Sequence, residues 1–201
     1  NISLDTLNPE RFRKITRIGD LAKVLRGVEA ARQVGFWRTK LNVVMMRGTN
    51  DDEFVDLVRF AIENELDISF IEEMPLGEIQ GRGTTYISSE ETRENLSRHF
   101  ELIPSTEDSG GPARYWRIPG SESRIGFISP HSHNFCATCN RVRITAKGEL
   151  YPCLGQNDAA NLLPTLRAGN DDTDLRQAII NSMGIKPYGH DFTQQMDSPQ
   201  V

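Results

Sequence analysis

The first 75 residues alternate between helix-like and strand-like segments, and this alternation limits the possible folds more than any other feature of the sequence. Apolar residues recur at helical spacing in residues 21–34 and 54–61, whereas residues 1–4, 40–46 and 68–71 have the character of strands. Strands that alternate with helices through short connections form parallel sheets with right-handed crossovers. Three such strands cannot close a barrel, so we predict an α/β protein, either half of a (β/α) barrel or part of an open sheet.

Polar residues mark where the predicted helices begin. Asn8-Pro9-Glu10 has the order of an N-cap, a proline at the first helical position and an acid in the first turn. Asn50 is the predicted N-cap of the helix that contains residues 54–61. Ser88 or Ser89 is the predicted N-cap of a further helix that runs to about Leu102.

The sequence changes in character after Pro104, because residues 105–112 are polar and rich in glycine. Such a stretch predicts a linker or a surface loop. Beyond it we predict two β-hairpins and two short helices, at residues 115–118 with 124–128, 142–145 with 149–151, 158–168 and 173–183. The sequence therefore predicts two domains: residues 1–103, as half of a barrel or part of an open sheet, and a small α+β domain in residues 104–201.

Composition limits the class of function. The chain has 28 acidic and 23 basic residues and a net charge of −5, which argues against a nucleic-acid polymer as partner but allows a local pocket for a small anion. No run of 18 apolar residues is present, so no membrane span is predicted. Three cysteines, an odd number, fit a reducing compartment better than a disulfide framework, and we expect a cytoplasmic protein.

The chain begins inside a strand-like segment at Asn1, with no turn before it. We therefore expect a piece of a longer protein; the alternative is a complete protein with a short N-terminal strand. In a partial barrel this first strand has an unpaired edge, and unpaired edges associate with other chains. We accordingly expect self-association of this chain, for example as a homodimer.

The three cysteines lie in one short stretch, as Cys136-Ala-Thr-Cys139 and, after thirteen intervening residues, Cys153. A C-x-x-C turn can place two thiolates on one metal group, and the hairpin predicted between them and Cys153 would return the third thiolate to the same place. Thiolates suit zinc or iron–sulfur clusters. Three buried structural cysteines are the alternative.

Spacing alone does not distinguish zinc from a cluster. Structural zinc takes four protein ligands, and His131 or His133, a few residues upstream, would complete a Cys₃His site. Three cysteines without a fourth ligand would instead leave one iron of a [4Fe–4S] cluster open to another ligand.

Arg141 and Arg143 follow the C-x-x-C turn on a predicted strand, where residues two apart point to the same face. Neighbouring guanidinium groups repel each other unless an anion lies between them, and arginine suits bidentate contacts with phosphate. The pattern favours an anion pocket; a solvated strand face is the alternative.

The block Cys136-Ala-Thr-Cys139-Asn140-Arg141-Val142-Arg143-Ile144-Thr145, continuing to Pro152-Cys153-Leu154, closely resembles the second cluster motif of the GTP 3′,8-cyclase family. These are radical S-adenosylmethionine enzymes of molybdenum cofactor biosynthesis. Other stretches match in the same order, namely Ser3–Leu7, Asn42–Gly48, Asn50–Glu53, Phe70–Pro75, Ile125–Ser129 and Lys186–His190. The resemblance covers nearly the whole chain.

The resemblance implies an incomplete (β/α)₆ barrel of the TIM type, of which this chain would be the C-terminal half, and a C-terminal domain that closes its open side. It implies a [4Fe–4S] cluster that cleaves S-adenosylmethionine, and an auxiliary [4Fe–4S] cluster whose open iron meets the guanine. The implied reaction converts GTP to 3′,8-cyclo-7,8-dihydro-GTP. The implied partners are GTP, S-adenosylmethionine and a reductant for the cluster.

Site residues follow from the resemblance position by position. The residues that match ligands of the auxiliary cluster are Cys136, Cys139 and Cys153. The residues that match GTP contacts are Lys40, Arg141 and Arg143. The residues that match S-adenosylmethionine contacts are Ser3 and Met74. Lys40 and Met74 both fall on predicted strands, and barrels of this kind place ligands near the C-terminal ends of their strands.

The sequence departs from the family pattern in three ways. No cysteine precedes Cys136, so the C-x-x-x-C-x-x-C motif of the initiating cluster is absent from this chain, which then holds no catalytic residue of its own. Ser69 stands where the family has an arginine that helps to bind substrate. The last residues, Asp197 to Val201, lack the Gly-Gly ending of the family.

Two other functions fit the same residues. One is a structural zinc module that binds a partner and performs no catalysis. The other is a different radical enzyme with an auxiliary cluster. Analysis of the bound metal distinguishes the zinc module from a cyclase. Binding of a guanine nucleotide, rather than a peptide, distinguishes a cyclase from the other radical enzyme.

Overall fold

The computed structural model describes residues 1–74, 85–107, 109–169, 171–190 and 192, and these divide into two compact units. The first unit contains residues 1–73 and 85–134 of the described chain. The second contains residue 74 and the described residues from 135 onward. Among the described residues, no helix has both the length and the apolar character that a membrane crossing requires.

The described residues of the first unit form four α-helices and six strands. The helices are α1 (Pro9–Thr16), α2 (Leu21–Val34), α3 (Phe54–Glu63) and α4 (Ser89–Ser97). The strands are β1 (Ile2–Ser3), β2 (Lys40–Met45), β3 (Asp67–Glu72), β4 (Ile103–Pro104), β5 (Arg114–Arg117) and β6 (Arg124–Ile128).

These strands form one sheet in the order β1-β2-β3-β6-β5-β4. The three strands predicted in the first 75 residues are parallel, which confirms an α/β fold. β6, predicted as one strand of a hairpin, also pairs in parallel with β3, with Ile68 opposite Ile125 and Phe70 opposite Phe127, and this pairing was not predicted. β5 and β4 then continue the sheet in antiparallel fashion.

The pairing of β6 with β3 makes the predicted domain boundary at residues 103 and 104 wrong. The hairpin of β5 and β6 does form, but it extends the main sheet and belongs to the first unit. The boundary failed because the polar stretch at residues 105–112 is a surface connection within the unit, and its composition resembles that of a linker.

The core lies between the sheet and the helices on one of its faces. Leu41, Val43 and Met45 alternate along β2 and are fully buried in the same cluster as the apolar face of α3. Phe70 of β3 lies at the centre, because its ring centroid is 5.2 Å from that of Phe54. The other face of β2 carries Lys40, Asn42 and Val44, and a polar side chain on a parallel strand is unusual unless that face serves a ligand.

The helix boundaries follow the predicted caps with two corrections. The Asn8 side chain accepts hydrogen bonds from the first turn of α1, as predicted. Asn50 is not the N-cap of α3, because Glu53 occupies that position. α4 begins after Ser88, as predicted, but ends at Ser97 rather than near Leu102. The predicted loop of residues 76–87 lies mostly outside the described residues.

The second unit contains a three-stranded antiparallel sheet and two helices. They are β7 (Arg143–Ile144), β8 (Glu149–Tyr151), β9 (Ala160–Asn161), α5 (Leu163–Arg167) and α6 (Asp172–Met183). The second predicted hairpin is confirmed, and Gly148 takes a φ of 79° in its turn. β9 was not predicted, because its residues fell within a predicted helix.

Candidate functional site

The end of β3 is organised around the buried carboxylate of Glu72. Its Oε1 accepts hydrogen bonds from the Ser89 backbone N–H at 2.8 Å and from the Ser132 hydroxyl. Its Oε2 accepts from the backbone N–H groups of His131 and Ser132, both at 3.0 Å. One side chain therefore fixes the start of α4 and the segment after β6 to the C-terminal end of the central strand.

These hydrogen bonds set the ionisation of Glu72. Burial alone raises the pKa of the carboxyl, but the Ser132 hydroxyl and the three backbone N–H groups outweigh burial and hold the pKa below the ordinary glutamate value. The carboxylate is thus ionised and satisfied inside the protein. Nearby, the His131 Nε2 lies 2.9 Å from the Glu73 carbonyl oxygen, and its ring packs edge-on against Tyr86.

Asn50 performs the same task for β1 and β2. Its Nδ2 donates to the carbonyl oxygens of Asp5 at 2.8 Å and of Val44 at 2.9 Å, and its Oδ1 accepts from the Met46 N–H. The Asp5 carboxylate in turn accepts from the Val44 N–H at 2.8 Å. Burial raises the pKa of Asp5, and this hydrogen bond lowers it only in part. Asn50 is therefore a fixed connection between the ends of two strands.

A row of polar residues crosses the sheet on the face away from α3. The strand register places Ser3 opposite Asn42, Asn42 opposite Ser69, and Ser69 opposite Gly126. Among the described residues, the buried Asn42 Oδ1 and Ser69 Oγ have no hydrogen-bond partner. Buried polar atoms without partners are rare, and they indicate a place where a ligand or water bonds.

Gly126 completes this row by leaving room for its neighbours. A Cβ at that position would lie 2.6 Å from the Ser69 Oγ and 2.9 Å from the Tyr115 ring. The Ser69 side chain is thus enclosed by Gly126 and Tyr115.

Three of the residues predicted to contact a ligand, Ser3, Met74 and Lys40, lie at different places relative to the strand ends. Ser3 is exposed and is the last residue of β1. Met74 is half-buried and follows the end of β3 by two residues. It was predicted to lie on the strand, and this prediction is wrong. Lys40 is half-buried and is the first residue of β2, at the N-terminal rather than the C-terminal end of the strand. Within the described chain, Lys40 has no salt bridge.

The C-x-x-C segment forms a tight turn in the second unit. Residues Cys136–Thr138 make one 3₁₀ turn, and the Cys139 N–H donates to the Cys136 carbonyl oxygen at 3.1 Å. β7 and β8 pair with Arg143 opposite Tyr151, so the hairpin reverses the chain before Cys153. All three cysteines are free thiols and are partly exposed. They are therefore open to a metal group.

In the described part of the chain, no three His, Cys, Asp or Glu side chains lie together so that they could hold one metal ion. The His131 Nε2 lies 2.9 Å from the Glu73 carbonyl oxygen. The choice between zinc and an iron–sulfur cluster therefore stays a prediction.

The two arginines are exposed, but they do not share a strand. β7 is shorter than predicted and contains Arg143 but not Arg141, so the prediction that both arginines lie on one strand is wrong. The Arg141 guanidinium lies over the Phe135 ring, 5.6 Å from its centroid. Neither arginine has a salt bridge among the described residues, so both charges are available to an anion.

Glu72 is the site residue that sequence reasoning missed. Glu72 lies in the stretch Phe70–Pro75, which resembles the family. A glutamate within an otherwise apolar strand was the sequence feature that could have identified it. A buried carboxylate needs hydrogen-bond partners, and the backbone donors at Ser89, His131 and Ser132 cannot be located from sequence spacing. Asn42 was also missed, because strand register, which places it opposite Ser3 and Ser69, cannot be located from sequence spacing.

The described structure is that of an α/β protein whose parallel sheet carries buried polar atoms without partners, and whose chain continues into a segment with three free thiols. Comparison with known families agrees. Residues 66–192 match the family Molybdenum Cofactor Synthesis C, and residues 1–61 match the Radical SAM superfamily. The first match spans more than half of the chain, which therefore belongs to the Molybdenum Cofactor Synthesis C family.

Three curated relatives share the name GTP 3',8-cyclase. The chain is 58% identical over 196 residues to a GTP 3',8-cyclase of Pseudomonas entomophila, 56% identical over 201 residues to one of Marinobacter nauticus, and 52% identical over 205 residues to one of Pseudomonas syringae. These alignments cover 96%, 98% and 100% of this chain, but only 59%, 61% and 61% of the relatives. The chain thus spans about three fifths of their length.

Substitution Glu72→Gln tests the organising role of this carboxylate. The amide leaves backbone donors without an ionised acceptor, so we expect a loss of about 2–4 kcal/mol in the free energy of unfolding at pH 7. Because the folded pKa of Glu72 is lowered, its contribution is complete above the ordinary value of about 4.3 and disappears as pH falls below it.

Urea denaturation between pH 3 and pH 7 measures both effects. The stability difference between wild type and Glu72→Gln should narrow as the pH falls. Glu63→Gln, on the exposed end of α3, is the control and should match wild type throughout. A Glu72→Gln variant as stable as wild type at pH 7 would contradict the role.

Proposed function

We propose that this chain is the C-terminal part of a GTP 3′,8-cyclase, which converts GTP to 3′,8-cyclo-7,8-dihydro-GTP in molybdenum cofactor biosynthesis. One observation carries the proposal. All three cysteines of the chain lie on one turn and one hairpin return, within the residues that match the Molybdenum Cofactor Synthesis C family. Relatives named GTP 3',8-cyclase that share more than half of its residues support the specific reaction.

The first unit would be the C-terminal half of an incomplete (β/α)₆ barrel. Four parallel strands, β1, β2, β3 and β6, support this, because a barrel requires a continuous parallel sheet. β1 is an edge strand in the described sheet, so the remaining barrel strands would pair there in the longer protein. In this chain alone, the same edge is where we expect a second copy to associate.

The second unit would hold the auxiliary [4Fe–4S] cluster through Cys136, Cys139 and Cys153. Such a cluster supplies one iron without a cysteine ligand, and a base of the substrate can approach it. The thiolates hold the other three irons. The thin core of this unit supports the assignment, because few hydrophobic side chains are buried among its described residues, namely Leu150, Pro152 and Leu162. Small units with so little core rely on a metal group or a disulfide for stability.

The cationic side chains would bind the triphosphate of GTP. Arg141 and Arg143 are exposed and free of salt bridges within the described residues, so their guanidinium groups can donate paired hydrogen bonds to phosphate oxygens. The Lys40 ammonium, half-buried on the polar face of β2, would add a third positive charge. Ser69 replaces the family arginine with a neutral hydroxyl, so these three cations would carry more of the phosphate binding.

S-adenosylmethionine would contact Ser3, the last residue of β1, and Met74, which follows the C-terminal end of β3 by two residues. The orphaned Asn42 Oδ1 and Ser69 Oγ in the adjoining row support a polar ligand on this face. The protein needs a reductant and a second [4Fe–4S] cluster to cleave S-adenosylmethionine, and the cysteines for that cluster are not among these 201 residues.

A cysteine variant series tests the cluster. If the three thiolates act as a set, Cys153→Ser should lose as much iron as Cys136→Ser, because each removes one ligand of the same cluster. The measurement is iron and sulfide per chain after anaerobic reconstitution. Thr138→Ser, within the same turn, is the control and should load like wild type. Full loading of Cys153→Ser would refute a shared site, and one zinc per chain without sulfide would support the structural zinc module.

Calorimetry with GTP tests the anion pocket. In the complete enzyme that contains this chain, Arg141→Ala should weaken GTP binding by about 1.5–3 kcal/mol, the scale of a lost charge-assisted hydrogen bond. Arg176→Ala, an exposed arginine on α6, should bind GTP like wild type. Equal GTP affinity in the Arg141 variant would mean that this arginine only faces solvent. Peptide binding in place of GTP binding would indicate a different radical enzyme.

A further inference from the structure

Residues 186–190, which we call the strap, follow α6 and run along the cysteine-bearing segments of the second unit. Lys186 contacts the neighbourhoods of Cys139 and Cys153. A Cβ on Gly189 would lie 3.4 Å from the Cys136 Cβ and 3.6 Å from its Sγ, so the strap also passes directly beside the first cysteine. The stretch Lys186–His190 matched the family in sequence, but no role follows from that match.

Lys186 is the centre of these contacts. Its Nζ donates hydrogen bonds to the carbonyl oxygen of Arg141 at 2.6 Å and to that of Pro152 at 3.0 Å. The same Nζ lies 3.9 Å from the Cys139 Sγ. An ammonium has three N–H donors, and these three acceptors account for all of them.

The two carbonyl groups bonded by Lys186 belong to the segments on either side of the β7–β8 hairpin. Arg141 lies two residues after Cys139, and Pro152 directly precedes Cys153. β7 and β8 also connect these segments, but through only two opposed residue pairs. The Lys186 ammonium therefore joins the two ends of the hairpin at the point where the cysteines must converge.

We propose that Lys186 is a positioning residue of the three-cysteine site, which ties the Cys139 and Cys153 segments together and places a positive charge beside the Cys139 sulfur. This inference rests on the proposed cluster. Groups that contact and orient metal ligands, without binding the metal themselves, strongly affect metal affinity. A cluster gains negative charge on reduction, so an adjacent ammonium favours its reduced form and raises its reduction potential.

Lys186→Met tests both parts, because methionine has a similar length but neither charge nor donors. Lys186→Arg keeps the charge, and Lys147→Met removes an exposed lysine from the hairpin turn as a control. The 201-residue chain suits the experiment, because its only cysteines are these three and every iron signal reports on one site. Iron and sulfide per chain are measured after anaerobic reconstitution, and the reduction potential is measured by titration followed with electron paramagnetic resonance.

We expect Lys186→Met to hold at most half of the wild-type iron and to show a more negative potential in the chains that load. Lys186→Arg should return the potential toward the wild-type value, and Lys147→Met should match wild type in both measurements. A purely structural lysine would change iron content but not the potential. Unchanged iron content or an unchanged potential in Lys186→Met would overturn the proposal. Failure of the wild-type chain to bind iron and sulfide would overturn the proposed function along with it.

Discussion

The buried carboxylate of Glu72 is the interaction on which the functional end of the sheet depends. Four hydrogen bonds converge on its two oxygens, from α4 and from the segment after β6. A buried carboxylate without such donors would be strongly unfavourable, so the charge itself selects a backbone arrangement that points three N–H groups at one place. This arrangement fixes how the chain leaves β3 and β6, the two strands whose pairing makes the sheet longer than the sequence predicts.

Sequence reasoning succeeded where a local pattern determines the structure. α2 has the predicted bounds, Asn8 caps α1, and β2 starts at the predicted residue. It failed where a contact is distant in sequence. Nothing near β6 shows that Ile125 pairs with Ile68, and this pairing moved the predicted domain boundary. The predicted cysteine turn and hairpin are confirmed as local structures, while the roles of their side chains remain predictions.

The two candidate sites differ in how they are stabilised. The polar row at Ser3, Asn42 and Ser69 lies on a sheet whose other face packs against a full hydrophobic core, so it can hold buried polar atoms without partners. In its described part, the cysteine unit buries few hydrophobic side chains, namely Leu150, Pro152 and Leu162. Under the proposed function, its fold would draw stability from its ligand and from contacts such as those of Lys186. Cofactor binding and folding are expected to be coupled in this second unit.

X-ray absorption at the iron and zinc edges tests the central claim, that the three cysteines of this chain hold an iron–sulfur cluster, most directly. The chain would be produced and purified without oxygen and measured as isolated. A cluster predicts an iron edge with a shell of sulfur neighbours and a second shell of iron neighbours, because cubane irons lie next to one another. A zinc edge with sulfur neighbours and no metal–metal shell would contradict the claim.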